Sequence, residues 1–247
     1  MRLSSVAAIL FVAGLPVLAQ GPAGAAQPPR TPKAQAPMDL TGYWVSIVTE
    51  DWRYRMVMPP KGDFGSVPLS PEGRRVAGLW DPAKDDACKA YGVPGLIRMP
   101  GRLHITWDSD TVIKMETDAG TQTRMLRFGA PAAGGPPTLQ GSSVATWEGL
   151  APAGRAGAPP PAPRGSLKIV TTNLLPGYLR KNGVPYSEKA VVTENWDIVK
   201  EPDGVEWLIV QTVVEDPTYL AQPFITSTHF RRQKDSTGWA PSACSAK

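Results

Sequence analysis

Apolar and polar positions alternate in short runs along most of the chain, over residues 43–49, 102–107, 111–117, 121–128, 142–148, 167–172, 190–199, 205–214 and 224–232. A period of two puts one face of a strand on a core and the other toward solvent. Turn formers separate the runs: Ser109 and Asp110, then Asp118, Ala119 and Gly120, and later Pro202, Asp203 and Gly204. Short strands joined in this way pair antiparallel with their neighbours. Residues 51–58 alternate as well, with Trp52, Tyr54, Met56 and Met58 against Arg53, Arg55 and Val57, until Pro59 and Pro60 end the run. One stretch opens as a helix instead. Ser70 is suited to accept a bond from a first-turn N–H, Pro71 sits where a missing N–H costs nothing, and the helix runs to about Trp80 before Asp81 and Pro82 stop it. About nine strands and one short helix between residues 38 and 233 predict a single all-β domain, an antiparallel meander that closes into a barrel or folds into a sandwich.

The flanks break the pattern. Residues 1–19 carry one basic residue (Arg2), an apolar run from Val6 to Leu18, and small residues up to Ala19. That reads as a secretory signal cleaved before Gln20, with a second possible cut after Ala26. No cysteine stands directly after the run to carry a lipid, and no other long apolar stretch follows, so the expectation is a periplasmic or secreted protein without an integral membrane segment. Residues 20–37, rich in Pro, Ala, Gly and Gln, read as a disordered linker. Residues 150–164 read as a disordered insertion at a hairpin tip, and residues 234–247 as a flexible tail.

Composition narrows the partners. Losing Arg2 takes the formal charge from +4 to +3, with acids and bases interspersed, so nucleic acid is not an expected partner. Eight tryptophans in a strand-rich chain of 247 residues favour a lined cavity or a large core. Cys88 and Cys244 permit one disulfide in an exported chain; two unpaired thiols are the alternative. The chain has no Gly-x-Ser-x-Gly, P-loop, Gly-x-Gly-x-x-Gly or Cys-x-x-Cys motif, and no cofactor is implied. The two histidines, His104 and His229, lack metal-ligand spacing, and Asp81, Asp85 and Asp86 read as a solvated acidic loop, so no metal is expected.

One acid stands out. In the run 190–199, Ala190, Val192, Glu194, Trp196 and Ile198 share a face that is apolar except for Glu194. Inside a barrel such a carboxylate is suited to act as a general base or to bond a ligand; alternatively it pairs with an arginine of a neighbouring strand, or the face is solvent-exposed. Trp52, Arg53 and Tyr54, with Tyr178, Arg180 and Tyr186 from the loop before the Glu194 strand, are placed to frame a barrel mouth with aromatic walls, and Trp196 shares the face of Glu194. Ordinary loop packing is the alternative. His104 is a further candidate ligand-binding residue, although it shares a polar face with Arg102, Thr106 and Asp108 that is more easily the outer surface than a catalytic pocket.

Gly42-Tyr43-Trp44 on the first strand is similar to the Gly-x-Trp signature of lipocalins and related calycin barrels. That resemblance implies a lipocalin-like barrel of about 8–10 strands in which Trp44 closes one end under a basic residue of the last strand, Arg231 or Arg232. A buried Trp in another β-fold stays open. A second resemblance covers residues 141–230. Trp147-Glu148-Gly149, Val192-Thr193-Glu194 and Asp216-Pro217, with the stretches between them, look like an uncharacterised family of secreted bacterial proteins; this chain departs by its Ala/Pro insertion and by Tyr186 in place of a frequent His. Three functions follow as expectations. The first is an exported barrel binding a small, largely apolar or amphipathic molecule. The second is an isomerase or lyase with Glu194 as general base. The third is an envelope structural or interaction module with a filled barrel. Oligomeric state is left open.

Overall fold

The computed structural model describes residues 30–130, 134–149 and 165–245. Eleven strands form: β1 (Gly42–Ile47), β2 (Arg102–Ser109), β3 (Val112–Thr117), β4 (Thr123–Phe128), β5 (Ser142–Glu148), β6 (Ser166–Thr172), β7 (Gly177–Arg180), β8 (Val184–Tyr186), β9 (Val191–Lys200), β10 (Glu206–Glu215) and β11 (Phe224–Gln233). Nine of them close a barrel in the order β1-β11-β10-β9-β6-β5-β4-β3-β2, while β7 and β8 pair separately. The helices are α1 (Trp52–Arg55), α2 (Pro71–Leu79) and α3 (Val93–Leu96), with one 3-10 turn at Ala87–Tyr91. The alternating runs thus become the wall. Ser70 caps α2 by accepting from the Gly73 N–H at 3.0 Å, as its position predicts. No helix among the described residues is long and apolar enough to cross a membrane.

Two local features differ from the sequence reading. Residues 51–58 hold α1 and not a strand: β1 already has β11 and β2 as its two neighbours, so the wall offers this run no free edge. Among the wall pairings, β4 with β5 is parallel, because residues 129–141 carry the chain back to the end at which β4 began.

Topology gives the barrel a floor and a cap. The start of β1, the end of β11 and the β2–β3 and β9–β10 turns lie at the floor. There the Arg232 guanidinium sits 4.2 Å from the Trp44 ring centroid and donates to the Thr41 and Asp39 carbonyls and to Glu206. Trp44 in turn donates from Nε1 to the Leu40 carbonyl at 2.9 Å. Arg232, not the exposed Arg231, takes the closing position that the lipocalin resemblance implies. Replacing it with Met removes the cation over the indole and several charge-assisted bonds, so denaturant titration should show a loss of about 2 kcal/mol, against under about 0.5 for Arg231→Met.

Residues 31–37, read above as the end of the linker, are held on this floor: Lys33 N–H donates to the Asp110 carbonyl at 3.1 Å and Trp147 Nε1 to the Pro32 carbonyl at 2.8 Å. The tail read as flexible is also tied down. Ser242 exchanges bonds with Asp118 and Thr121, Trp239 meets Tyr43 edge-on at 5.7 Å, and Cys244 forms a disulfide with Cys88. The expected signal peptide, residues 20–29 and the insertion at 150–164 lie outside the described residues.

The cap carries α1, α2, α3, β7 and β8. Ala90, Tyr91, Leu96 and Ile97 descend from it onto the barrel core, which Trp44, Ile105, Ile113, Met115, Leu126, Leu167, Ile169, Trp196, Leu208 and Phe230 fill. A second core inside the cap joins Leu69, Ala77, Val93, Leu179, Val184 and Tyr186 to the upper wall residues Val192, Val214 and Phe224.

Candidate functional site

Glu194 points inward and is fully buried, on the face the alternation predicts. Its two oxygens accept from Arg124 of β4 at 2.6 and 3.2 Å, both side chains being 0% exposed. Arg124 Nη2 also reaches Thr171 Oγ1 on β6 at 3.4 Å and Ser143 Oγ on β5 at 3.5 Å, and those hydroxyls bond each other at 2.8 Å. The partner is therefore an arginine, as the pairing alternative holds, but it comes from the third strand along the wall and not from an adjacent one. A carboxylate at 0% exposure, paired bidentate with a guanidinium, is held ionised away from solvent, so this geometry lends no support to Glu194 as a base. Arg124 satisfies the same criterion that picks out Glu194: it shares a face with Leu126 and Phe128 and is the one charge on it.

The aromatic mouth expected from the sequence does not assemble as a unit. Trp52 is 66% exposed on α1, and Arg53 pairs with Asp63 at 3.0 Å outside the cavity described below. Tyr178 donates to Asp85, and burial, followed by that carboxylate, pushes the phenol's pKa up. Tyr186 is wholly buried in the cap core beneath Gly92 and Gly177, whose missing side chains make room for its ring. Trp196 is core, and His104 lies on the outer wall, stacked on Tyr43 at 4.2 Å and bonded to Glu116 at 3.2 Å. His229 bonds Thr49 and Ser227. What does come together is Tyr54 with Arg180, the guanidinium lying 4.2 Å from the ring centroid.

That contact belongs to a cluster of three buried arginines in the cap, Arg55, Arg98 and Arg180, each 8% exposed or less. They line one cavity of about 130 Å³ between α1, α3 and β7. Arg55 donates to Glu50 at 2.5 Å, to the Arg98 carbonyl at 2.9 Å and to Ser46 at 3.2 Å. Arg98 pairs with Asp51 at 2.9 Å, and Arg180 stands 3.9 Å from the same carboxylate while bonding the Gly65 carbonyl and Ser66 Oγ, both at 2.6 Å. Two of the holders, Asp51 (φ 49°) and Ser66 (φ 62°), have left-handed backbones, a conformation kept where the surroundings require it. The Asp51 turn ends β1's extension and starts α1, which presents Arg55 inward.

Three guanidiniums share two carboxylates, so the cluster carries one positive charge in excess. Arg98 Nη1 and Arg180 Nε are buried without a hydrogen-bond partner among the described residues. Burial is the first cause lowering the pKa of each arginine, and for Arg180, with Arg98 beside it, the value falls to about 10. Of the three, Arg180 was legible as a mouth residue. Arg55 lay in a run read as alternating and Arg98 in a stretch with no periodic signal, so nothing in the sequence marked either. No protein-family model, curated protein or solved structure matches the chain.

Proposed function

We propose that the protein is an exported β-barrel that binds a small anionic molecule in the cavity of its cap and not inside its wall. The observation that carries this reading is the excess of buried guanidinium at that cavity, with Arg98 Nη1 unpartnered. The lumen reading loses ground because large core side chains fill the barrel around and below Glu194. A cavity of about 130 Å³ is smaller than the roughly 300–1,000 Å³ of drug-sized sites, which limits what enters to a headgroup or a short acid. The filled interior also favours a second reading, a structural or interaction module of the envelope, which predicts no ligand response.

Calorimetric titration of the folded protein with inorganic phosphate and with octanoate separates the two. Binding should weaken roughly 10- to 100-fold in Arg98→Gln, the worth of one charge-assisted bond, with Arg180→Gln as the second variant if the first folds poorly. A cation keeps its charge below its pKa, so affinity for an already ionised acid should be flat between pH 6 and 9 and fall once Arg180 deprotonates near about 10. Heat-silent titrations with both anions, backed by an unchanged melting temperature, would sink the proposal in favour of the module.

A further inference from the structure

Resting on that reading, we infer that the ligand is a single-chain amphiphile whose acidic headgroup, carboxylate or phosphate, seats on Arg55, Arg98 and Arg180 while its chain lies along Met56, Val57 and Met58. The three apolar residues line the same cavity as the arginines, and they form its lip, at 60%, 61% and 40% exposed. Three consecutive large apolar side chains left in water beside a buried cationic floor make a surface of two chemistries: charge inside, hydrocarbon outside. Trp52, one turn before Met56 on α1 and 66% exposed, extends the lip on that helix face. Methionine adapts to chains of varying shape because its thioether stem is unbranched and flexible. A bare inorganic anion leaves the lip wet, and an uncharged hydrocarbon leaves the guanidiniums unanswered; an acid on an alkyl chain satisfies both. The small cavity volume sets the division, since it holds the head and the first carbons only, and the remaining chain has the lip to lie on.

The test is a chain-length series of acetate, hexanoate, octanoate and decanoate below their micelle thresholds, with inorganic phosphate and decanol as controls, read by calorimetry and by Trp fluorescence on the full chain. Affinity should rise about two- to fourfold per added methylene, the range between half and full burial of each group. Decanol should bind at least tenfold more weakly than decanoate. The paired change Met56→Ser with Met58→Ser, both exposed and so compatible with folding, should flatten the series and leave phosphate binding unchanged. Lysophosphatidylglycerol, added below its micelle threshold, identifies the source: binding tighter than decanoate points to a lipid-derived amphiphile, and weaker binding with an intact series points to a free acid. Equal affinity along the series, or decanol binding as well as decanoate, overturns the inference while anion binding stands. No binding of phosphate or of any acid overturns anion binding itself.

Discussion

Arg124→Met should cost about 3–5 kcal/mol of unfolding free energy, the largest effect of any single substitution in the barrel wall. The reason is not the worth of the Arg124–Glu194 bond, which is offset by the desolvation of both ions. It is the state left behind: a carboxylate at 0% exposure, with Ile169 and Thr212 as its strand neighbours and no other ion-pair partner among the described residues. The double variant Arg124→Met with Glu194→Leu removes both charges and should return to within about 1–2 kcal/mol of the parent, or exceed it. Denaturant titrations of the four proteins of this cycle provide the check. A single-variant loss under about 1 kcal/mol would mean that water reaches the pair, and the claim of a dry, filled barrel would fall with it.

Removing the disulfide by Cys88→Ser with Cys244→Ser should have the second large effect. The bridge closes a loop spanning 156 positions, for which chain-entropy arguments give about 5 kcal/mol, with measured values for native bridges running 2–5. The change acts mainly on the unfolded chain, so the barrel should keep its far-ultraviolet spectrum. Locally it frees the tail. Trp239, now packed edge-on against Tyr43 and His104, should lose that contact and its emission should move to the red. Wild type treated with a reductant should copy both changes. A reduced protein of undiminished stability would show that the hydrogen bonds Ser242 donates to the Asp118 carbonyl and accepts from the Thr121 hydroxyl hold the tail by themselves.

The wall was legible because a strand with one wet face writes its period into the sequence, and every alternating run other than residues 51–58 overlaps a barrel strand. Where the period misled, the structure had another use for the residues. In residues 51–58 the alternation does not reflect burial, since Trp52, Met56 and Met58 are all exposed and only Arg55 is buried. Strands β7 and β8 escaped notice because four and three residues carrying Gly177 and Pro185 are too short to show a period. Glu194 was found as an acid on an apolar face. Its partner carries the same signature, Arg124 being the one charge on the face it shares with Leu126 and Phe128. The arginine cavity lay beyond such reasoning. Its members come from α1, from the turn after α3 and from β7, and tertiary packing alone brings them to one place. The end closure was expected from the lipocalin resemblance, and Trp44 and Arg232 do lie on the two strands that meet to close the ring.

That closure imposes an order of events on the chain. β1 pairs with β11, from Tyr43 opposite Gln233 to Ile47 opposite His229, and Cys88 waits for Cys244. The two halves of each pair are far apart in a polypeptide that is made from its first residue onward, and 156 positions separate the two cysteines. Until residue 233 has emerged, β1 has one neighbour and an open edge, which is the kind of edge that templates aggregation. Most of the wall can form beforehand through neighbouring hairpins, yet the ring cannot seal and the thiols cannot meet until the last segment arrives. Sealing is thus a late event of long sequence separation, and slow for that reason. Oxidation of Cys88 then marks a finished molecule, and a chain cut short before Phe224 has neither its closing strand nor its bridge.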